Sequence, residues 1–388
     1  MATISLEQGI SIDSIADKVY SNERLTSDDA LFLFHHPNLN ELAALADFQR
    51  QKRVPGRTVT YVIGRILNYT NVCWVRCKFC AFYRVPNHAE GYLLDDEEIL
   101  AKVGETVSIA NCGLRIADSE RSSSIPNPKS EIQNREHVEI LFQGGLNPKL
   151  KIDYYEGIFR KIKAKYPEVI LHALSPAEII YIAHISKLTL RDCLVRLKES
   201  GLHSIPGAGG EILVDRVRKI IAPYKDTTEE WLACMRTASS LGIKSTASMM
   251  FGHVETLEDR VEHLGRIRDL QDECAPFRAF ITWNFQPEET NLAIPRKASG
   301  FDYLRTVAVS RLFLDNVDNI QVSILTQGPK IAQLALGYGA NDFGSVMIEE
   351  QVVSAKGNKF ILSSEEFERL IRGAGYEARR RNTRYELV

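Results

Sequence analysis

The chain has 388 residues, and its 48 lysines and arginines nearly cancel 50 aspartates and glutamates, for a formal charge of −2. Such a balance offers no electrostatic footing for nucleic acid or an acidic membrane face as a partner. At 44% hydrophobic residues the chain can bury a large core, yet its apolar runs are short and broken by charge, too short for a bilayer-spanning helix.

The first residues, MATISLEQGISIDSIADKVY, lack a basic stretch followed by an apolar one, so export is not expected and the thiols should stay reduced in the cytoplasm. Four of the seven cysteines, Cys112, Cys193, Cys234 and Cys274, are scattered singly, and the odd count argues against a disulfide framework. Residues 5–50 read as helices: LTSDDALFLFHH sets Ser and Asp before an apolar face, and NELAALADFQRQKR is amphipathic. Residues 1–54 are therefore expected to form an N-terminal helical cap. From Val59 onward, short β-branched or apolar runs alternate with longer amphipathic ones. The strand candidates, in order, are VTYVIGRILNYTN, VEILFQGG, VILHAL, LHSIPGAG, KSTASMMFGH, AFITWNFQ, NIQVSIL and FGSVM. They predict an α/β fold, a TIM-type (β/α)8 barrel over residues 55–350, with 351–388 as a C-terminal extension packed on it. Residues 114–137, rich in Ser, Asn, Pro and charge, exceed a normal αβ connection and are expected to be an inserted surface loop on the face away from the site.

Barrel chemistry gathers on the loops after the C-terminal ends of strands. NYTNVCWVRCKFC, QGGLNP, HALSP, IPGAGGE, GHVET and NFQPEET each follow an apolar run, so they should converge on one rim. A doubly wound sheet would call for one Gly-rich fingerprint instead. The first of these loops holds Cys73, Cys77 and Cys80. A closed zinc site wants four ligands, so these three would need His88 or Cys112 to complete it. The C-x3-C-x2-C spacing also differs from a thioredoxin-like pair. Three thiolates suit a 4Fe-4S cluster held at three corners, with one iron left open to a small chelating ligand.

The spacing, with Phe79 just before the last cysteine, resembles the signature of the radical S-adenosylmethionine (SAM) superfamily. That resemblance implies a complete or partial β/α barrel, a 4Fe-4S cluster on Cys73, Cys77 and Cys80, and SAM chelated by the open iron and split to a 5'-deoxyadenosyl radical. It further implies SAM contacts from Phe79, from Gly144 and Gly145 after the second strand, from Ser175, from Glu211 with Arg216 or Arg218 after the fourth, and from Met250 and Glu255 near the end of the fifth. Plainer readings stand beside these: a glycine pair is often only a tight turn, an arginine-rich helix start is commonly solvated, and a methionine pair is usually core filling. Leu146 occupies a position where many members carry Glu, which removes a side-chain contact and leaves the backbone one.

The stretches NYTNVCWVRCKFCAFYR, QGGLNP, HALSPAEI, GGEILVDRVRKII, MMFGHVETLEDRVEHL and FQPEET together are similar to the cyclic dehypoxanthinyl futalosine synthase family of menaquinone biosynthesis. The likeness runs from about Leu25 to near the end, the 114–137 segment excepted. It implies hydrogen abstraction from ribose C4' of dehypoxanthine futalosine, closure of that carbon onto the benzoate ring, and loss of one electron and one proton. The proton needs a base, for which the rim offers His253, Glu255 and His172, with His253 first because imidazole titrates near about 6.5. Tyr83, Arg84, Trp283 and Gln286, with Ser175, are expected to meet the substrate, Arg84 first for the carboxylate; each equally suits packing. The resemblance implies a reductant protein such as flavodoxin or ferredoxin and no particular oligomeric state. Alternatives inside the superfamily are aminofutalosine synthase and a deazaflavin-cofactor synthase subunit. Outside it stands a noncatalytic iron-sulfur or zinc-binding protein.

Overall fold

The computed structural model describes residues 9–120, 137–294, 296–347 and 362–388. Three helices come first: α1 (Ile12–Ser21), α2 (Ser27–His35) and α3 (Leu39–Arg53). Ser11 and Thr26 start the first two as reciprocal capping boxes, each giving two otherwise orphaned backbone N–H groups a partner.

Strands and helices then alternate: β1 (Thr58–Asn68), α4 (Asp96–Glu120), β2 (Val138–Gln143), α5 (Ile152–Lys165), β3 (Val169–Ala173), α6 (Pro176–Ser186), α7 (Leu190–Glu199), β4 (Leu202–Ile205), α8 (Asp215–Ile221), α9 (Thr228–Ser240), β5 (Lys244–Phe251), α10 (Leu257–Cys274), β6 (Phe277–Asn284), α11 (Gly300–Phe313), β7 (Asn319–Gln321), α12 (Ile324–Ala335) and β8 (Asp342–Met347). β1 to β8 pair in parallel and in sequence order, and β1 pairs with both β2 and β8, so the barrel closes. The eight strand runs read from the sequence are these eight strands. α4 continues to Glu120 rather than stopping near Gly113, and residues 121–136, the body of the expected insertion, lie outside the described residues.

The alternation works because strands such as β3, buried along its whole length, present apolar side chains to both the barrel interior and the helix ring. Helix α5 answers with Ile158, Phe159 and Ile162, all buried. Full burial of each such side chain stabilises by about 1.5–3 kcal/mol. Serine or threonine followed three residues later by Asp or Glu starts α6, α9, α10 and α11, which fixes where each loop on the C-terminal rim ends. The N-terminal helices lie on the outside: α2 and α3 pack on α11.

Beyond β8 come α13 (Ser364–Gly373) and β9 (Glu377–Arg380). β9 pairs with β1 from Thr58 to Tyr61, on the edge that β2 takes over from Gly64 to Asn68, while β8 holds the other edge. The tail after β9 then crosses the floor of the barrel. Arg381 donates to both oxygens of Asp342 at 2.6 and 2.8 Å, and Thr383 Oγ1 donates to Glu139 at 2.9 Å.

Two histidines are buried uncharged in this core. His172 of β3 and His263 of α10 are both pushed down to about 3, in each case by burial first and neighbouring arginines second. The unfolded chain takes up both protons below about pH 6.5 while the folded chain does not, so stability falls as pH drops from about 6.5 toward 3. The expected slope between pH 6.5 and 5 is about 1.4 kcal/mol per pH unit for each histidine, and His263→Gln should remove about half of it. Urea unfolding at several pH values checks this; an unchanged slope in the variant would contradict it.

Candidate functional site

Inside the barrel lies a cavity of about 360 Å³. Its upper end touches Phe79, Cys80 and Glu211, its walls include Leu141, His172, Ile281, Trp283 and Gln286, and its base is Glu139 with Arg381, Thr383 and Tyr385 of the tail.

The loop above the cavity is pinned by its backbone. Cys73 N–H donates to Arg84 O at 2.9 Å and Arg84 N–H to Asn71 O at 2.8 Å, so the chain leaves and re-enters β1's rim as a closed loop. Lys78 N–H reaches Ile221 O at 2.8 Å, tying the loop to the end of α8. Cys73, Cys77 and Cys80 are all free thiols. Burial is the largest influence on Cys73 and Cys77 and pushes both upward; the neighbouring thiols add to this and Lys225 opposes it. Thiols that feel one another's charge in a buried loop fit a cationic iron centre, since coordination holds them deprotonated. Among the described residues no three His, Cys, Asp or Glu side chains converge as a single metal ion would require. A cubane spreads three thiolates over three irons and makes no such demand.

Gly144 and Gly145 support this loop by leaving room for it. A Cβ on Gly145 would stand 2.3 Å from Val72 O and 2.9 Å from Cys73 Cβ, and one on Gly144 would stand 2.7 Å from the Tyr69 ring. The first collision is with backbone and cannot be relieved by a rotamer change. Gly145→Ala should therefore displace the loop and lower iron and sulfide content severalfold in a protein that still folds; normal content would contradict that.

Glu178, a residue the sequence reading passed over, orders the same turn. Its Oε1 accepts from Gly144 N–H and from Tyr69 Oη, each at 3.0 Å, while Oε2 accepts from Ser175 N–H and Oγ, each at 2.7 Å. Ser175 is thus the N-cap of α6 and does not line the cavity. The SPAE capping box was the signal.

After β4, Glu211 holds a backbone φ of 32°, and its carboxylate takes Lys225 Nζ at 2.8 and 3.0 Å. Burial alone would lower Lys225, but Glu211 and then Cys77 outweigh it and hold the ammonium above its usual value. Lys225 also lies 5.6 Å from the Phe79 ring centroid. It brings a cation to this end of the site, where Arg218 also lies 3.9 Å from Glu211, and a lone lysine in IAPYKD carries no periodic signal that could have revealed it. Arg218 braces the turn by donating to Gly209 O, Gly210 O and Asp226. Arg216, the other arginine offered from sequence, points outward to Asp259 with 55% of its side chain exposed.

Five further residues expected at the site lie outside the cavity lining. His253 lies outside the cavity lining: Val254 N–H donates to its Nδ1 at 2.8 Å and its Nε2 sits 3.0 Å from Met250 O, so both ring nitrogens are spent. Burial pushes its pKa down. Glu255 accepts from Gly252 N–H at 2.6 Å, from His253 N–H at 2.9 Å and from Arg260, and so fixes the turn after β5. Gly252 enters that turn at φ 82°, which folds His253 back toward the protein. Met250 is fully buried away from the cavity lining, its N–H donating to Glu211 O at 2.7 Å. Arg84 pairs with Glu90 at 2.6 Å and caps Ala81 O and Tyr83 O, so it closes the cysteine loop; neither it nor Tyr83 lines the cavity. Phe79, Cys80, His172, Glu211, Trp283 and Gln286 do.

Residues 67–267 match the radical SAM superfamily, and residues 274–388 match the CofH/MqnC C-terminal region. A cyclic dehypoxanthine futalosine synthase of Halalkalibacterium halodurans is 42% identical over 379 residues, covering 98% of this chain and 95% of that protein. A 5-amino-6-(D-ribitylamino)uracil–L-tyrosine 4-hydroxyphenyl transferase of Methanosarcina acetivorans is 38% identical over 389 residues, covering 97% and 94%. Among solved structures, methylornithine synthase shares the fold, with a TM-score of 0.68 at 16% identity over 94% of this chain and 97% of that one.

Proposed function

The chain belongs to the radical SAM superfamily, in its cyclic dehypoxanthine futalosine synthase family, and on that premise we propose that it closes dehypoxanthine futalosine to the cyclic product inside the barrel. The observation that supports the reading best is the cavity under Cys80, walled by Trp283 and floored by the tail, which suits a small aromatic substrate held largely inside the barrel.

Cys73, Cys77 and Cys80 would hold a 4Fe-4S cluster, which when bound would supply the electron for splitting SAM and so the radical that takes the C4' hydrogen. Glu211 is placed to accept from SAM hydroxyls at the upper end of the cavity, and Lys225 pairs with that carboxylate while offsetting thiolate charge. Gly144 and Gly145 let the cysteine loop sit where any Cβ would collide with it, and so hold that loop in position. Trp283 and Ile281 exclude water from the carbon radical, which must survive until it meets the ring.

Of the three expected bases, His172 is the one that lines the cavity, with Ser204 Oγ 2.7 Å from its Nδ1. A pKa of about 3 makes it a weak acceptor. Once the ring has given up its electron, for which an oxidised 4Fe-4S cluster would be the acceptor, the resulting cation is a strong carbon acid, and a weak base held in place is enough. The reductant in this reading is a one-electron carrier protein such as flavodoxin or ferredoxin, and the setting is the cytoplasm; among the described residues no helix is long and apolar enough to cross a membrane.

Dehypoxanthine futalosine deuterated at C4' tests the reading. Deuterium should appear in 5'-deoxyadenosine, matched by cyclised product. Unlabelled 5'-deoxyadenosine with no such product would remove this substrate.

A further inference from the structure

The lower end of the cavity is built from the C-terminal tail, and its chemistry differs from that of the apolar wall above. Tyr385 lines this end, and its hydroxyl is buried without a hydrogen-bond partner among the described residues. Native proteins rarely leave a buried hydroxyl in that state unless something else completes it. Tyr385 also holds a left-handed backbone, φ 66°, which is uncommon for a bulky side chain. Asn382 enforces it: Tyr385 N–H donates to Asn382 O at 3.1 Å, and Asn382 Oδ1 accepts from Arg384 and Glu386 N–H at 2.8 and 3.1 Å. The chain thus tolerates strain in order to keep this ring beneath the barrel.

Cations surround the ring. The Arg381 guanidinium lies 3.8 Å over its centroid, and Arg278 reaches Thr383 O at 3.5 Å. On the wall above, Ser204 occupies Nδ1 of His172, which leaves Nε2 for its part as base and not for the carboxylate. Two carboxyl groups also stand here, and each already has a donor: Asp342 has Arg381, and Glu139 has Thr383. The floor therefore turns donors toward a newcomer.

We propose that this floor is the carboxylate subsite of the enzyme, where Tyr385 Oη, with Arg381 beside it, receives the carboxylate of an aromatic acid. The proposal rests on the functional reading above and extends it. In that reading the sugar carbon that loses hydrogen must lie near the cysteine loop, so the acid end of the same molecule points down, away from Cys80. Arg84, the cation expected from sequence to take the carboxylate, is outside the cavity and already paired, whereas the floor is inside it.

The test is equilibrium binding to cluster-loaded enzyme with SAM and no reductant, so that nothing turns over. Dehypoxanthine futalosine, its methyl ester and 3-acetylbenzoate are compared on the native chain and on Tyr385→Phe, which removes one oxygen and leaves the ring under Arg381. A hydrogen bond to a charged group predicts that the native enzyme holds the acid at least about tenfold tighter than the ester, and that Tyr385→Phe loses most of that margin. Equal binding of acid and ester, or an unchanged margin in the variant, would overturn the subsite and turn the sugar toward the floor. If the native enzyme binds 3-acetylbenzoate in a Tyr385-dependent way but never cyclises dehypoxanthine futalosine, the subsite stands and the substrate assignment falls. If 3-acetylbenzoate binds without dependence on Tyr385, the subsite falls whatever the substrate.

Discussion

Cys77→Ala is expected to abolish iron-sulfur loading and SAM cleavage in a protein that unfolds at nearly the native denaturant midpoint. Cys77 sits on a loop whose shape is set by backbone bonds from Cys73, Lys78 and Arg84, none of which uses its sulfur. The barrel core is drawn from the strands and the helix ring, so losing one thiol leaves it intact. The cluster has no comparable reserve, because a cubane held at three corners loses a third of its protein anchors. Iron and sulfide analysis, the brown absorbance and a 5'-deoxyadenosine assay report on loading and chemistry, and urea unfolding reports on the fold. Normal SAM cleavage in the variant would sink the cluster assignment; an unfolded protein would show that the loop carries the fold after all.

The second large effect is expected at the opposite end of the barrel. Arg381→Met should cost about 3–5 kcal/mol, because it leaves the Asp342 carboxylate buried without its cation. Against a typical total of about 5–15 kcal/mol that is a large share of stability. Asp342 also accepts from Thr60 Oγ1 at 2.5 Å and Gly344 N–H at 3.0 Å, which joins β1, β8 and the tail at one carboxylate. If charge is the cause, adding Asp342→Asn should recover much of the loss, since both members of the pair are then neutral. Denaturant midpoints of the single and double variants decide it. A double variant no better than Arg381→Met alone would assign the loss to packing instead.

These two sites also show what could be read from the sequence. The barrel was legible because its signals are local: apolar runs of strand length, amphipathic helices between them, and capping boxes such as TLED and SGFD that mark where each helix begins. The cysteine loop was legible because three ligands fall within one loop. Lys225, Glu178 and the tail were not, because each acts on residues distant in sequence: Lys225 on Glu211, Glu178 on Gly144, Arg381 on Asp342. The C-terminal extension was expected to pack on the barrel, but nothing local in EARRRNTRYELV shows that Arg381, Asn382 and Thr383 are buried. His253 misled for a related reason. A histidine at the end of an apolar strand looks like a rim base, and only the backbone reversal at Gly252 turns it away.

The central claim is that this barrel closes a ring rather than coupling two molecules, and the relatives at 42% and 38% identity make that a fair contest. The most direct measurement offers the reconstituted, reduced enzyme SAM with dehypoxanthine futalosine in one vessel, and SAM with L-tyrosine and 5-amino-6-(D-ribitylamino)uracil in another, and identifies the products by mass spectrometry. The account predicts 5'-deoxyadenosine and a product two hydrogens lighter than its substrate in the first vessel, and no coupled product in the second. A tyrosine-derived adduct in the second vessel, with the first left unchanged, would contradict it.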